Sequence, residues 1–267
     1  MTTYLNYTLN DSLPLNDRSI SYGDGLFETL FVENNQVHNF PDHLQRLSRS
    51  CLKLNIPFNS AQQVELFDFI TNLAASFHDP HVIKVIVSRG AGGRGYLPNS
   101  DASPTVIIST SIAPNYSQQS LLGVSLGISS IPSGMNRYLA GMKHLNRLEN
   151  VMAKGRLTKG CFEDVMLDGN GFLAECIQSN LFWFKNEVLH TPILNQSGVQ
   201  GTMRSRVLRE NTHFPIEIGS YLVGSLMSAD EIFITNSLIG VVPITNFIGQ
   251  SLPIGINTRK IKNIMNY

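Results

Sequence analysis

Residues 141–150, GMKHLNRLEN, set a lysine just ahead of an apolar repeat: Leu145, Leu148 and Met152 recur at helical spacing, which predicts a helix from about Leu145 with one buried face. Toward the C-terminus, Asp168-Gly169-Asn170-Gly171 is a turn signal between the runs VML and FLAEC, and Lys185-Asn186 separates LFWF from VLHTP; two hairpins are expected. A helix near 202–210, strands around EIFIT and GVVPI, and a short helix from about Asn257 complete this half. Toward the N-terminus the strand GVSLGISSI begins at Gly123, and the polar, turn-forming residues 114–122 read as an interdomain linker. The expected organisation is an N-terminal α/β domain over 1–113 and a C-terminal, barrel-like α/β domain over 123–267.

The N-terminal half alternates the same two periodicities. LFETLFVENNQVHNF (26–40) carries two β-prone runs around Asn34-Asn35 and reads as a hairpin. Two helices follow. In 41–56 the inward face is expected to be Leu44, Leu47, Cys51 and Leu54, with Pro41 in the first turn; in 61–76 it is Val64, Phe67, Ile70 and Leu73. The runs VIKVIVSR (82–89) and TVIISTSI (105–112) are rich in β-branched residues and read as strands.

Composition narrows the function classes. Twenty basic and twenty acidic side chains cancel, so no global positive field exists to collect nucleic acid or an anionic membrane, and an anionic ligand must be caught by local groups. Cys51, Cys161 and Cys176 are odd in number and scattered, which predicts a reduced, cytoplasmic protein without a disulfide framework or a zinc site. No stretch approaches the roughly 20 apolar residues of a membrane span. His78 and His81 are a close histidine pair without further ligands at metal spacing, so no metal is expected.

Gly90-Ala91-Gly92-Gly93-Arg94-Gly95 satisfies G-x-G-x-x-G after a strand, but the context of a dinucleotide fingerprint is missing. Tyr96, Leu97, Pro98 and Asn99 stop any helix at once, and no carboxylate lies between Ser109 and Gly123 to meet a ribose. The better reading is a glycine-rich loop that carries Arg94 to the carboxylate of a ligand.

Several segments, in order, carry a family resemblance: SYGDGLFET (21–29), FPDHLQRL (40–47), VIVSRGAGGRGY (85–96), GMKHLNRLENVMAK (141–154), LDGNGFLAECIQSNLFWF (167–184) and GVQGTMR (198–204). Together they resemble the fold-type IV pyridoxal-phosphate enzymes, the class IV aminotransferase-like group, and the KHLNRLE wording is most similar to the 4-amino-4-deoxychorismate lyases within it. The resemblance implies a mixed α+β, two-domain fold like that of D-amino-acid aminotransferase, with pyridoxal 5'-phosphate in a cleft between the domains and a homodimer as the assembly.

Position by position, Lys143 resembles the lysine that bonds the cofactor's aldehyde; by composition alone, as one of eight lysines, it would read as a surface charge. Glu175 resembles the carboxylate that pairs with the pyridine nitrogen. Arg46 resembles the phosphate arginine, Thr202 and Met203 open a helix whose N-terminal amides suit a phosphate, and Asn236 and Ser237 resemble the remaining phosphate contacts. Arg94 and Tyr96 align with positions that bind the substrate carboxylate. Thr29 stands where the lyases have a hydroxyl residue and branched-chain aminotransferases a glycine, which favours a lyase and gives Thr29 a catalytic role beside Lys143. The implied reaction converts aminodeoxychorismate to 4-aminobenzoate and pyruvate in folate biosynthesis. The alternative is a class IV aminotransferase acting on D-amino or branched-chain amino acids, and a noncatalytic scaffold is disfavoured by the joint presence of Lys143, Glu175 and Arg46.

Overall fold

A computed structural model describes residues 1–265, and the chain divides into two compact units. The first comprises Met1–Pro114 together with Met142–Asn146. Its elements are β1 (Thr2–Leu5), β2 (Thr8–Leu9), α1 (Arg18–Tyr22), β3 (Gly25–Glu33), β4 (Gln36–Val37), α2 (Phe40–Lys53), α3 (Ser60–Ala75), β5 (His81–Ser88) and β6 (Thr105–Ile112). The six strands form one antiparallel sheet in the order β2-β1-β6-β5-β3-β4.

Strand alternation decides what this sheet buries. Along β3, Leu26, Glu28, Leu30 and Val32 point inward, while Phe27, Thr29 and Phe31 lie half-buried on the other face. Leu47 and Cys51 of α2, Leu66, Ile70 and Ala74 of α3, and Ile83, Val85, Val87 and Ile108 are also buried. Each such side chain contributes about 1.5–3 kcal/mol when taken from water.

The second unit comprises Asn115–Gly141 and the chain from Arg147 onward. It contains α4 (Ser117–Leu122), β7 (Val124–Ile128), α5 (Leu148–Gly155), β8 (Glu163–Leu167), β9 (Leu173–Cys176), β10 (Asn180–Lys185), β11 (Val188–Pro192), α6 (Thr202–Glu210), β12 (Ile216–Gly219), α7 (Gly224–Met227), β13 (Glu231–Asn236), β14 (Gly240–Phe247), β15 (Gln250–Ser251) and α8 (Ile256–Met265). Eight strands follow the path β12-β11-β10-β13-β14-β7-β8-β9, and β15 pairs with β14. The pairs β11/β12, β14/β7 and β7/β8 are parallel and the others antiparallel. This sheet is covered on both faces, which explains the unbroken apolar run LFWF. Leu181 and Trp183 join a core with Leu126, Val165 and Ile244, whereas Phe182 and Phe184 meet Met203 and Val207 of α6 and Ile261 of α8.

The structure departs from the sequence reading at identifiable places. Residues 117–122 of the expected linker form helix α4, and Met142–Asn146 return to the first unit although they lie within the expected C-terminal domain. In α3 the buried face is Leu66, Ile70 and Ala74; Val64 is 59% exposed, because the stripe is turned by about one residue from the expected one. The helix expected from Leu145 begins at Leu148, and Leu148 and Met152 are exposed, with Ala153 its buried residue. Strands β1, β2 and β12 and helices α1 and α7 are too short for periodicity to mark them. Among the described residues no helix is long and apolar enough to cross a membrane.

Candidate active site

Lys143 sits on an extended return segment stitched to β3. Phe27 N–H donates to the Lys143 carbonyl at 2.9 Å and Leu145 N–H to the Gly25 carbonyl at 3.0 Å, so the lysine is fixed by sheet-like pairing rather than by a helix. Its half-buried side chain places Nζ 4.3 Å from the Phe27 ring centre. Thr29 lies two residues on, on the same half-buried face of β3, opposite Lys84 of β5.

The other face of β3 carries Glu28, which is buried with His43 and Arg46 of α2. Arg46 Nε donates to Glu28 Oε1 at 2.8 Å, Arg46 Nη2 pairs with Oε2, and His43 Nδ1 lies 2.6 Å from Oε2. Burial raises the Glu28 pKa, but the charge and hydrogen bonds of Arg46 and His43 outweigh it and leave the pKa at about 2. Burial lowers the pKa of His43, and the charges of Arg46 and Lys143 push the same way, against the opposing pull of Glu28. Lys143 and Arg46 thus both act on one buried histidine within the first unit.

Arg94 and Tyr96 lie on an exposed loop, Tyr96 being 88% exposed. The loop is anchored from below. Arg18 Nη1 and Nη2 donate to the carbonyls of Gly95 and Tyr96 at 3.0 and 2.8 Å, while Arg18 and Arg89 share the Asp24 carboxylate. Burial raises the Asp24 pKa, yet the two guanidinium groups hold it below its ordinary value. Arg89 therefore braces the loop's root and the carbonyls of Leu54 and Asn55.

In the second unit, Glu175, next to last in β9, is a buried carboxylate and accepts a hydrogen bond from Val199 N–H at 2.8 Å. Asn180 continues this support. Its Oδ1 accepts from Gly201 N–H at 3.0 Å and its Nδ2 donates to the Val199 carbonyl at 2.9 Å. Gly201 is the N-cap of α6 and makes no side-chain cap, and a Cβ there would lie 2.0 Å from Asn180 Oδ1, so only glycine allows this approach. Thr202 and Met203 form the first, buried turn of α6. In the same turn Arg204 is buried, its pKa lowered to about 10 by burial against the opposing charge of Glu175.

Asn236 uses its side chain to build a turn: Oδ1 accepts from Leu238 and Ile239 N–H, and Nδ2 reaches the Gln178 carbonyl and Ser179 Oγ. Ser237 lies half-buried in that turn. Behind it Glu163 is buried and accepts from Gln178 N–H, with Lys154 Nζ 3.9 Å away; burial lifts its pKa to about 7 against the pull of the Gln178 N–H and Lys154. Sequence reasoning assigned no role to Glu28, His43, Asn180, Glu163 or Arg204. Glu28 was findable, since its parity in β3 matches the inward Leu26 and Leu30. Among the described residues no three His, Cys, Asp or Glu gather as metal ligands.

The model of the family described as amino-transferase class IV matches residues 25–247. An aminodeoxychorismate lyase of Vibrio harveyi is 35% identical over 263 residues, covering 95% of this chain and 96% of that protein. The crystal structure of 4-amino-4-deoxychorismate lyase from Pseudomonas aeruginosa superposes with a TM-score of 0.92 at 35% identity, covering 98% of this chain and 97% of that one. A D-alanine aminotransferase of Bacillus licheniformis is 26% identical, over 95% of this chain and 89% of that protein.

Proposed function

We infer the reaction of this chain from its family: it belongs to the amino-transferase class IV family. The best-supported activity is conversion of 4-amino-4-deoxychorismate to 4-aminobenzoate and pyruvate, a lyase reaction that serves folate biosynthesis and uses pyridoxal 5'-phosphate. The observation that carries this reading is a 35% likeness over nearly the whole chain to proteins named for that lyase, in sequence and in fold. The D-alanine aminotransferase likeness is lower and keeps transamination as the competing activity.

The donor set fits the cofactor. The first unit offers a half-buried amine, Lys143, and a buried guanidinium, Arg46; the second offers a buried carboxylate, Glu175, and the buried first turn of a helix, α6. Lys143 would carry the cofactor, Glu175 would face its pyridine nitrogen, and Arg46 with Thr202 and Met203 would hold its phosphate. Asn236 and Ser237 would support that site through the turn they build beside Ser179. When bound, pyridoxal phosphate withdraws the electrons left behind by a departing substrate proton.

The chain's own groups then do the proton work. Lys143 Nζ takes the proton from the substrate carbon that bears the amine. As the enolpyruvyl C–O bond breaks and the ring becomes aromatic, a proton returned by Lys143, or steered by the Thr29 hydroxyl, converts the leaving group to pyruvate. Arg94 and Tyr96 are assigned to a substrate carboxylate on the strength of the resemblance. Their exposure in a single chain, and the exposed apolar face of α5 formed by Leu148, Val151 and Met152, support a homodimer. The absence of a global positive charge supports a small-molecule substrate rather than nucleic acid or an anionic membrane, and the free cysteines Cys51, Cys161 and Cys176 support a cytoplasmic location.

The test is product analysis. Protein loaded with pyridoxal phosphate is incubated with aminodeoxychorismate, and separately with D-alanine and 2-oxoglutarate. Equimolar 4-aminobenzoate and pyruvate in the first mixture are expected; pyruvate and glutamate from the second alone would hand the assignment to the aminotransferase.

A further inference from the structure

Glycines leave residues 90–95 without a conformation of their own: Gly90, Gly92, Gly93 and Gly95 all take positive φ. Order is imposed by the chain just before β3. Arg18 N–H donates to the Gly90 carbonyl and Gly92 N–H to the Asn16 carbonyl, each at 3.0 Å; Asp17 pairs with Ala91, and its Oδ2 accepts from Ser88 Oγ at 2.9 Å. These bonds fix the root of the loop. Beyond Gly92 it is the Arg18 side chain, 4% exposed, that reaches the backbone, with Nη1 on the Gly95 carbonyl at 3.0 Å and Nη2 on the Tyr96 carbonyl at 2.8 Å. Its Nε is held by Asp24 Oδ2 at 2.9 Å, and the guanidinium lies 4.6 Å from the centre of the Tyr22 ring, which meets the Tyr96 ring with centres 5.7 Å apart. Only a planar fork of donors can hold a carboxylate and two successive carbonyls at once; a lysine ammonium cannot span them. Arg94, next to the first of those carbonyls in sequence, is exposed and forms no ion pair with a described residue.

We propose that Arg18 is a positioning residue for substrate recognition: by holding the Gly95 and Tyr96 carbonyls it presets the glycine-rich loop that presents Arg94 and Tyr96 to a carboxylate of the substrate. This rests on the assignment of Arg94 and Tyr96 to that carboxylate and adds what fixes the loop that carries them. The entropic cost of ordering so many glycines is then met on folding rather than on binding. Affinity for the substrate, and not the chemical step, therefore depends on Arg18.

The experiment separates binding from chemistry. Protein loaded with pyridoxal phosphate is assayed for 4-aminobenzoate over a range of aminodeoxychorismate concentrations, with Arg94→Met as the reference variant. Arg18→Lys, which keeps a cation opposite Asp24, is expected to raise KM about tenfold, with kcat within about threefold of wild type and affinity for pyridoxal phosphate unchanged; Arg18→Met should raise KM at least as far. In the Arg94→Met background Arg18→Lys should add no more than about threefold, because both changes act on one contact. An unchanged KM in Arg94→Met, or no turnover by the wild type, would overturn the underlying assignment and the proposal with it. A KM raised by Arg94→Met but unchanged by both Arg18 variants, or raised by Arg18→Lys equally in both backgrounds, would overturn the role of Arg18 alone. A fall in kcat at unaltered KM, with a lowered melting temperature, would mean a general packing role and would equally reject it.

Discussion

At Glu28 and Glu163, two carboxylates removed from water are shifted in opposite directions, and the partners explain why. Glu28 meets a guanidinium edge-on and is held at about 2, whereas Glu163 has a backbone N–H and an ammonium at 3.9 Å and rises to about 7. The consequences for stability have opposite signs. The Glu28 contribution is present above the ordinary carboxylate value and is lost only as the pH falls toward 2. The Glu163 contribution is present below that value and is lost as the pH rises through 7. Urea denaturation of wild type and Glu163→Gln should therefore show the variant gaining on wild type between pH 5 and pH 8, by on the order of 2–3 kcal/mol; a constant difference across that range would reject the raised pKa. The reacting residue gives a sharper contrast. Lys143→Ala should bind pyridoxal phosphate without the visible absorbance band of a lysine linkage, and pyruvate formation should fall at least about a thousandfold. Retention of band and turnover would remove Lys143 from the reaction.

Among the elements, α6 and its preceding loop are the most tightly specified. Glu175 and Asn180 hold Val199 and Gly201 from two neighbouring strands, so the entry to α6 is set by β9 and β10. Gly201→Ala would drive a Cβ toward the buried Asn180 side chain and displace the first turn; equilibrium titration should show affinity for pyridoxal phosphate weakened about tenfold with the fold retained. Undiminished affinity would argue against a phosphate role for this terminus. The long strands and hairpins were readable because alternation and turn residues act locally: β5 and β6 fall on the runs VIKVIVSR and TVIISTSI to within a residue. The helix faces were less readable. The stripe in α2 ignored His43, Arg46 and Ser50, since an apolar count treats polar residues as outward, while here all three are buried, His43 and Arg46 meeting Glu28 and Ser50 the Arg46 carbonyl. In α3 two overlapping stripes fit the sequence, and the choice of Leu66, Ile70 and Ala74 is made by tertiary packing.

For the molecule as a whole, the site residues were named by resemblance, and the structure adds how each is supported. Lys143 and Arg46 fall in the unit of the six-stranded sheet, Glu175 and α6 in that of the nine-stranded one. No local pattern could reveal that residues 142–146 rejoin the first sheet, because that pairing with β3 spans over 100 residues of sequence. The exposed side chains of α5 carry the assembly prediction: Leu148→Asp combined with Val151→Asp should convert a dimer to a monomer in sedimentation velocity and leave thermal stability of the monomer little changed, whereas an unaltered dimer would place the interface elsewhere. The most direct test of the account is chemical trapping of the cofactor. Protein loaded with pyridoxal phosphate is reduced with borohydride, digested and mapped by mass spectrometry; the account predicts a pyridoxyl adduct on the peptide containing Lys143 and on none of the other seven lysines, and an adduct confined to another lysine, or none at all, would contradict it.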